Sequence, residues 1–299
     1  STSATRTGAS PALMIDTTAP GIWISGNRGR LGSALTAAAP GPVDGWDLPE
    51  LDLDEPATGA ALVREHRPRL VIHTAAMTAV DQAALEPEVA KRRNATAVGV
   101  LARACRDAGS GFVQFSTNEV FDGERTDHVP YREEDPTNPR NPYGASKRAG
   151  EEAALEAFAG ADGLWIVRTS WLFGPPGNDF PDKITAAADK VEGPLSVVAD
   201  EIGAPTSTLD LARAVYQLVE RTDGGVFHLV NAGSASRFEW AQAVLAVRRP
   251  GRELRPITLA EYARSSDPPP WGALDTSKAR AAGVTLRPWQ EALADYLGA

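Results

Sequence analysis

Cysteine is nearly absent from this sequence, and its scarcity excludes several classes of protein. The single cysteine, Cys105, cannot form an internal disulfide. It lies in an apolar helical pattern, which predicts a buried structural thiol. The four histidines are scattered and show no metal-ligand spacing with this cysteine, so no metal site is expected.

Long apolar runs and an excess of positive charge are absent as well. No stretch approaches the ~18 apolar residues that a membrane-spanning helix needs, and the apolar patch at residues 12–15 is too short for the core of a signal peptide. The 30 lysines and arginines are outnumbered by 39 acidic residues, which gives a formal net charge of −9. This balance argues against a broad nucleic-acid or anionic-membrane surface but permits a local basic pocket for a phosphate. We therefore expect a cytoplasmic protein that acts on a small molecule, and a homodimer remains open.

A glycine-rich turn follows the first predicted strand. The apolar segment 21–25 leads directly into Gly26-x-x-Gly29-x-x-Gly32 and then into a helical pattern. Glycines at this point permit a tight turn and the close approach of a pyrophosphate to the helix N-terminus. A plain glycine turn is the alternative, but the strand–helix context favours a dinucleotide. Asp47 follows the second predicted strand, where an acid can hold the adenosine ribose.

Strands and helices alternate over residues 21–170, which predicts a doubly wound parallel α/β sheet of the Rossmann type. The pattern loosens after residue 174 and returns to the sheet near 208–231. We predict a mobile leader at 1–19, a dinucleotide-binding domain at 20–178 plus 208–231, and a smaller substrate-binding domain at 179–207 and 232–299. The predicted strands are 21–25, 43–46, 70–76, 112–117, 164–168, 195–198 and 226–230, and the main predicted helices are 56–67, 88–108, 180–190 and 208–220.

A tyrosine and a lysine stand four residues apart, Tyr143 and Lys147, just after Asn141 and Pro142. A helix is expected to begin at this proline, and the spacing then places both side chains on one helix face. An ammonium beside a phenol is expected to lower the pKa of the phenol. Such a tyrosine can give a proton to a carbonyl oxygen near neutral pH. The same spacing also arises by chance on solvated helices, so the neighbouring motifs decide its meaning.

The order of motifs resembles that of the extended short-chain dehydrogenases and, within them, the dTDP-4-dehydrorhamnose reductase family. The resemblance covers the chain from residue 21 onward and rests on the glycine motif together with segments 73–81, 116–123, 141–147, 168–171 and 200–206. It implies reduction of the 4-keto group of a nucleotide-linked 6-deoxyhexose by a nicotinamide cofactor. An epimerase on the same scaffold and a non-catalytic cofactor-binding regulatory subunit are the alternatives.

The resemblance also implies roles for individual residues. Tyr143 would donate the proton, Lys147 would hold the nicotinamide ribose and lower the Tyr143 pKa, and Thr117 would hydrogen-bond the substrate oxygen. The implied cofactor contacts are Gly26, Arg28, Gly29, Arg30, Leu31, Gly32, Asp47, Asp52, Leu53, Ala75, Ala76, Tyr143 and Lys147. The implied substrate contacts are Thr78, Val80, Thr117, Asn118, Glu119, Tyr143, Trp171, Asn178 and Phe180. Packing alone is a close alternative for Trp171, and Asn94 is assigned a structural role.

Two segments depart from the family pattern. Asn118 and Glu119 stand where the family usually has Asp-Tyr, and related dehydratases have an Asp-Glu pair there. Asn118 has no proton to donate, which disfavours dehydration. Glu119 either faces the crevice or turns outward to pair with a surface cation, and the outward orientation is favoured because acids are rarely buried unpaired. Near the C-terminus, residues 268–275 lack the family's Arg and Ser, which leaves the nucleotide and the sugar open.

Two charged residues favour different cofactors. Asp47 would repel a 2′-phosphate and therefore favours NADH. Arg28 lies inside the glycine turn, where a similar family, the GDP-fucose synthases, uses an arginine for that phosphate, and a guanidinium suits phosphate well. We expect NADPH, with NADH as the alternative.

Overall fold

A six-stranded sheet organises the computed structural model, which describes residues 15–299. The strands in chain order are β1 (Ile22–Ser25), β2 (Val43–Trp46), β3 (Leu70–His73), β4 (Gly111–Thr117), β5 (Leu164–Thr169), β6 (Leu172–Phe173), β7 (Leu195–Val198), β8 (Ile202–Gly203), β9 (Thr206–Ser207), β10 (Gly225–His228), β11 (Ala235–Ser236) and β12 (Leu254–Ile257). The central sheet has the order β10-β5-β4-β3-β1-β2, with every neighbouring pair parallel. The strand order reverses between β1 and β3, which opens a crevice at their C-terminal ends.

Helices cover both faces of this sheet, which confirms the doubly wound fold. The helices are α1 (Arg30–Ala38), α2 (Pro56–His66), α3 (Val80–Leu85), α4 (Pro87–Lys91), α5 (Ala97–Ala108), α6 (Pro142–Phe158), α7 (Phe180–Lys190), α8 (Thr208–Arg221), α9 (Arg237–Arg248), α10 (Ser277–Ala281) and α11 (Trp289–Leu297). Helices α1 and α8 bury Leu35 and Val215 on one face, and α2, α5 and α6 bury Val63, Leu101 and Ala154 on the other. No helix of the described residues is long and apolar enough to cross a membrane.

Two predicted elements differ in their bounds. Strand β3 ends at His73 rather than at residue 76, because the Thr74 hydroxyl turns back to donate to the carbonyl of Ser25 at 2.6 Å. The helix predicted over 88–108 is interrupted by a π-helical turn at Arg92–Thr96. Inside that turn the buried Asn94 amide bonds the backbone N–H and C=O of Met77 at 2.8 and 2.9 Å, which ties the helix to the loop after β3.

A second apolar cluster lies outside the main sheet. It joins α7, α9 and α11 with the parallel β7–β12 pair around the fully buried Trp240. The end of the chain also returns to the sheet, since Ala279 and Val284 pack in the core on the α1/α8 face. The predicted substrate-binding segment 232–299 therefore contributes to both cores.

The first residues that the structure describes pack against the sheet. The predicted leader is described only from Ile15 to Ala19, and residues 1–14 lie outside the described part. Ile15 is buried and its N–H bonds the carbonyl of Val219 in α8 at 3.1 Å. Arg69 donates to the carbonyls of Asp16 and Ala19 at 2.7 and 2.6 Å. These contacts pack residues 15–19, the end of the predicted leader, against the six-stranded sheet and its helices.

Candidate active site

The residues that the sequence singles out converge on one cavity of about 980 Å³. It opens at the C-terminal ends of β1, β3, β4 and β5, between the sheet and helix α7. Every predicted cofactor or substrate contact lines this cavity except Gly32. A Cβ on Gly32 would lie 2.2 Å from the carbonyl oxygen of Gly26, so this third glycine lets α1 pack against the turn. Its backbone has a packing role, and its contact with a cofactor stays a prediction.

The glycine turn presents free backbone donors to the cavity. Gly26 has φ +63°, and a Cβ there would meet the backbone nitrogen of Ala75 at 2.9 Å. Gly29 is the N-cap of α1 and supplies no side-chain cap, so the first N–H groups of the helix are free to bind an anion. A narrow backbone cradle at a helix N-terminus fits the pyrophosphate of a dinucleotide.

One end of the cavity is lined by residues suited to an adenosine. Asp47, Asp52 and Leu53 lie there beside Arg93. Arg93 donates to Asp54 at 2.6 Å, and this pairing, with Arg92, lowers the pKa of Asp54 to about 2. The loop that carries Asp52 is thereby held to the π-helical turn.

The floor beneath the glycine turn is polar but uncharged. Ser25 and His73 end neighbouring strands, and the Ser25 hydroxyl lies 2.7 Å from Nδ1 of His73. Burial, reinforced by the nearby Lys147, lowers the pKa of His73 to about 3. A neutral imidazole therefore orders the serine, whose oxygen accepts from the N–H of Thr74 at 3.2 Å.

Thr117, Tyr143 and Lys147 all line the cavity. Thr117 ends β4, and its hydroxyl accepts from the N–H of Glu119 at 3.2 Å. Helix α6 begins at Pro142 because Asn141 caps it, with Oδ1 accepting from the N–H of Gly144 at 2.8 Å. Tyr143 and Lys147 then lie one helical turn apart and share a face that points into the cavity.

The pKa of Tyr143 differs from the sequence prediction. Burial and then the nearby Glu119 raise the pKa of the phenol, while the Thr117 hydroxyl opposes this. Burial lowers the pKa of Lys147 to about 8, and Glu151 opposes that shift. The pKa of Tyr143 is therefore raised overall and not lowered as the sequence predicts, because desolvation of the phenol is the largest cause of its shift. Tyr143 is protonated at neutral pH.

Glu119 faces the cavity, and the favoured outward orientation is wrong. Its Oε2 accepts a hydrogen bond of 2.6 Å from Nδ2 of Asn141, and it has no ion pair among residues 15–299. Burial raises the pKa of this carboxyl; the Asn141 hydrogen bond opposes the rise and Glu201 adds to it. The neighbouring Asn118 is buried, and its Oδ1 accepts from the Thr117 hydroxyl at 3.3 Å.

The other end of the cavity is aromatic. Trp171 adopts a left-handed backbone with φ +47°, and its ring both lines the cavity and stacks on Trp240 at 5.7 Å. Phe180 stacks on the same Trp240 at 4.3 Å. The guanidinium of Arg237 lies 3.6 Å from the Trp171 ring centroid and is paired with Glu201 at 2.9 Å. Trp171 therefore packs on Trp240 and also lines the cavity, and its contact with a substrate stays a prediction.

Three cations in the cavity were missed from the sequence: Arg93, Lys183 and Arg237. Lys183 follows Phe180 by three residues, and this helical spacing was a usable signal. Arg93 precedes Asn94 within a helix whose π-turn the sequence does not reveal. Arg237 reaches the site from α9, far along the chain, and no local pattern marks it.

The chain as a whole is similar to known proteins in sequence and in structure. Residues 21–299 match the RmlD substrate binding domain family. A dTDP-4-dehydrorhamnose reductase of Streptomyces griseus is 39% identical over 277 residues, which cover 89% of this chain and 86% of that protein. A probable dTDP-4,6-dihydroxy-2-methyloxan-3-one 4-ketoreductase of Streptomyces antibioticus is 39% identical over 81% of this chain and 82% of that protein.

A solved structure agrees with the sequence relatives. The crystal structure of dTDP-4-dehydrorhamnose reductase from Bacillus anthracis in complex with NADP superposes with a TM-score of 0.85 at 33% identity. The match covers 92% of this chain and 97% of that chain. The likeness therefore extends over both the six-stranded sheet with its helices and the α7/α9/α11 cluster.

Proposed function

The chain belongs to the dTDP-4-dehydrorhamnose reductase family, and we propose that it is an NADPH-dependent reductase of the 4-keto group of a dTDP-linked 6-deoxyhexose. The observation that carries this proposal is the meeting of Thr117, Tyr143 and Lys147 in the same cavity as the glycine turn. A proton donor beside a dinucleotide cradle is what the reduction of a carbonyl needs.

The roles of the central residues follow from their environment. NADPH, when bound, would supply the hydride to the carbonyl carbon. Tyr143 donates its proton to the carbonyl oxygen, and its raised pKa keeps it in the protonated form that reduction requires. Thr117 orients that oxygen by a hydrogen bond. Lys147, with a pKa of about 8, holds the nicotinamide ribose through its ammonium donors.

The cofactor proposal rests on the charges at the adenosine end. Arg28 lines the cavity on the exposed side of the glycine turn and has no ion pair among the described residues. A 2′-phosphate would therefore find an unengaged guanidinium there. Asp47 lines the same end and can accept from ribose hydroxyls, so NADH remains usable.

Glu119 supports a second candidate function, epimerisation beside the carbonyl. A carboxylate that faces the cavity next to Tyr143 can remove a proton from the carbon adjacent to the 4-keto group, and the electron pair then moves to the oxygen protonated by Tyr143. Incubation with a 4-keto-6-deoxy sugar nucleotide in heavy water distinguishes the two. Deuterium at C5 without net oxidation of NADPH favours the epimerase, whereas unlabelled C5 with stoichiometric NADPH oxidation favours the reductase.

A substrate screen tests the main proposal directly. The enzyme is mixed with NADPH and dTDP-4-keto-6-deoxy sugars, and the loss of reduced nicotinamide is followed together with the sugar product. Oxidation of NADPH that depends on the dTDP-linked sugar, with reduction at C4, is the expected result. Absence of turnover with every dTDP-linked 4-keto sugar would overturn the proposal.

A further inference from the structure

The substrate end of the cavity, next to α7, contains a lysine, Lys183, whose charge has no partner among residues 15–299. Five charged residues line this end: Arg30, Glu119, Asp179, Lys183 and Arg237. The guanidinium of Arg30 donates to the carbonyl of Gly177 at 2.9 Å. Of these, Arg237 is paired with Glu201 and covered by the ring of Trp171. Lys183 has neither a side-chain hydrogen bond nor an ion pair within residues 15–299, although it stands one turn into α7.

The acids closest to Lys183 in the chain are engaged elsewhere. Asp179 is 2% exposed and caps α7, with its two oxygens accepting from the N–H groups of Gly174 and Asp182 at 2.9 and 3.1 Å. Asp182 is bound by Arg248 of α9 at 2.8 Å. Asp189, two turns further along α7, pairs with Arg249, the residue directly after α9, at 2.6 Å.

The charged residues of helix α7 therefore face two different directions. Its acids hold it to α9, while Lys183, about 100° around the helix from Asp182, is turned to the cavity. Lys183 also lies one turn from Phe180, whose ring belongs to the aromatic group with Trp171. An unpaired ammonium beside aromatic rings suits a ligand that joins a flat base to an anionic group.

We propose that Lys183 binds the diphosphate of the nucleotide-linked substrate and so makes the cavity selective for a sugar nucleotide over a free sugar. This inference rests on the proposed function, because it identifies the residue that would hold the anionic part of that substrate. The free N–H groups at the start of α1 would serve the pyrophosphate of the cofactor, and Lys183 would serve the diphosphate of the substrate, so the two ligands meet separate groups.

Ligand binding to a matched pair of variants tests the role of Lys183. Lys183→Met and Lys190→Met remove the same charge from the same helix, but Lys190 is exposed at the end of α7 and does not line the cavity. Affinities for dTDP, for thymidine and for NADPH are measured by calorimetry on the wild type and both variants. A charged hydrogen bond at an exposed site predicts that Lys183→Met weakens dTDP about 10-fold.

The other affinities make the result specific. Thymidine and NADPH should bind Lys183→Met as they bind the wild type, and Lys190→Met should match the wild type for all three ligands. Lys183→Arg should recover most of the dTDP affinity. The dTDP affinity of the wild type should fall with added salt more steeply than that of Lys183→Met.

Two results would overturn the inference. One is a dTDP affinity that is unchanged in Lys183→Met, and the other is a wild type that binds thymidine as tightly as dTDP. Turnover of a dTDP-linked 4-keto sugar by the wild type tests the proposed function separately. An active wild type with either of those two results overturns only the role of Lys183, whereas an inactive wild type overturns the function itself.

Discussion

Asn141 donates a hydrogen bond of 2.6 Å from Nδ2 to Oε2 of Glu119, while its Oδ1 caps helix α6 by accepting from the N–H of Gly144. One amide thus fixes the start of the helix that carries Tyr143 and holds a carboxyl beside the phenol. The position of Glu119 is therefore linked to that of Tyr143.

The first prediction concerns the charge of Glu119. Its proximity is, after burial, the second cause of the raised Tyr143 pKa. Glu119→Gln keeps an acceptor for Asn141 but removes the charge, so the pKa of Tyr143 should fall. Because reduction requires the protonated phenol, the rate declines as pH rises through this pKa, and the decline should begin at a lower pH in the variant. The pH dependence of kcat measures it. Glu152→Gln, on the exposed side of α6, serves as control, and an unshifted profile in Glu119→Gln would contradict the coupling.

The second prediction concerns the hydroxyl of Tyr143. Tyr143→Phe removes the hydroxyl that we propose as the proton donor but keeps the ring, so the fold and NADPH affinity should be almost unchanged. The reduction rate should fall by about two to four decades, the range for a positioned general acid. Single-turnover oxidation of NADPH and a cofactor titration provide the two measurements. Near-normal turnover would remove Tyr143 from the mechanism.

The third prediction is that replacement of Lys147 raises the stability of the protein and lowers its activity. The pKa of this buried lysine is about 8, below the ordinary value of 10.5, so the folded state disfavours its charge. The cost is fully present below pH 8 and disappears as pH rises from about 8 to 10.5. Lys147→Met should therefore raise the free energy of unfolding at pH 7 by up to about 3 kcal/mol, with a smaller gain above pH 10.

Urea unfolding at the two pH values measures this gain. The same variant should bind NADPH more weakly and reduce substrate more slowly, because it lacks the ammonium that we propose holds the ribose. The prediction would be contradicted by a variant that is less stable than the wild type at pH 7 and less stable by the same amount above pH 10. Such a result would show that burial of the charged lysine does not destabilise the folded state.

The fourth prediction concerns cofactor choice. Arg28→Ala should lower kcat/KM for NADPH about 10-fold while leaving that for NADH nearly constant, because a 2′-phosphate loses a charged hydrogen bond. Arg106→Ala, an exposed arginine of α5 outside the cavity, is the matched control. An unchanged ratio of the two kcat/KM values in Arg28→Ala would assign the phosphate to another group.

The fifth prediction concerns the buried ion pair between Arg168 of β5 and Glu151 of α6. The guanidinium bonds the two carboxylate oxygens at 2.8 and 2.7 Å, and both side chains are at most 5% exposed. Arg168→Met leaves the carboxylate buried without a partner and should destabilise the protein by about 3–5 kcal/mol. Urea unfolding measures the loss, and the double variant Arg168→Met, Glu151→Gln should recover part of it. A loss below about 1 kcal/mol would mean that water replaces the arginine.

The sequence predicts the sheet well because most of its strands are apolar runs between turn signals, with Val43–Trp46 as the exception. Strands β4 and β5 are buried along their entire length, as expected for parallel strands covered on both faces. The glycine turn and the Tyr143 helix are equally local, since proline and Asn141 define the start of α6.

Other features depend on contacts between distant segments and could not be predicted. The pKa of Tyr143 is set by how deeply the phenol is buried, which spacing along a helix does not reveal. Glu119 was expected to face outward because an unpaired buried acid is rare, but Asn141 satisfies it with an amide. Arg237 enters the cavity only because α9 packs on α7 around Trp240.

The return of β10 to the sheet has a consequence for how the protein can be divided. Strand β10 pairs with β5 although β6, α7, β7, β8, β9 and α8 lie between them in the chain, and Ala279 and Val284 rejoin the same core still later. The polypeptide thus passes several times between the sheet and the Trp240 cluster. No single cut separates a complete cofactor-binding fragment from a complete substrate-binding fragment. Exchange of the Trp240 cluster between relatives would therefore require several junctions at once. New specificity is more accessible through point changes at positions such as Lys183 and Glu119.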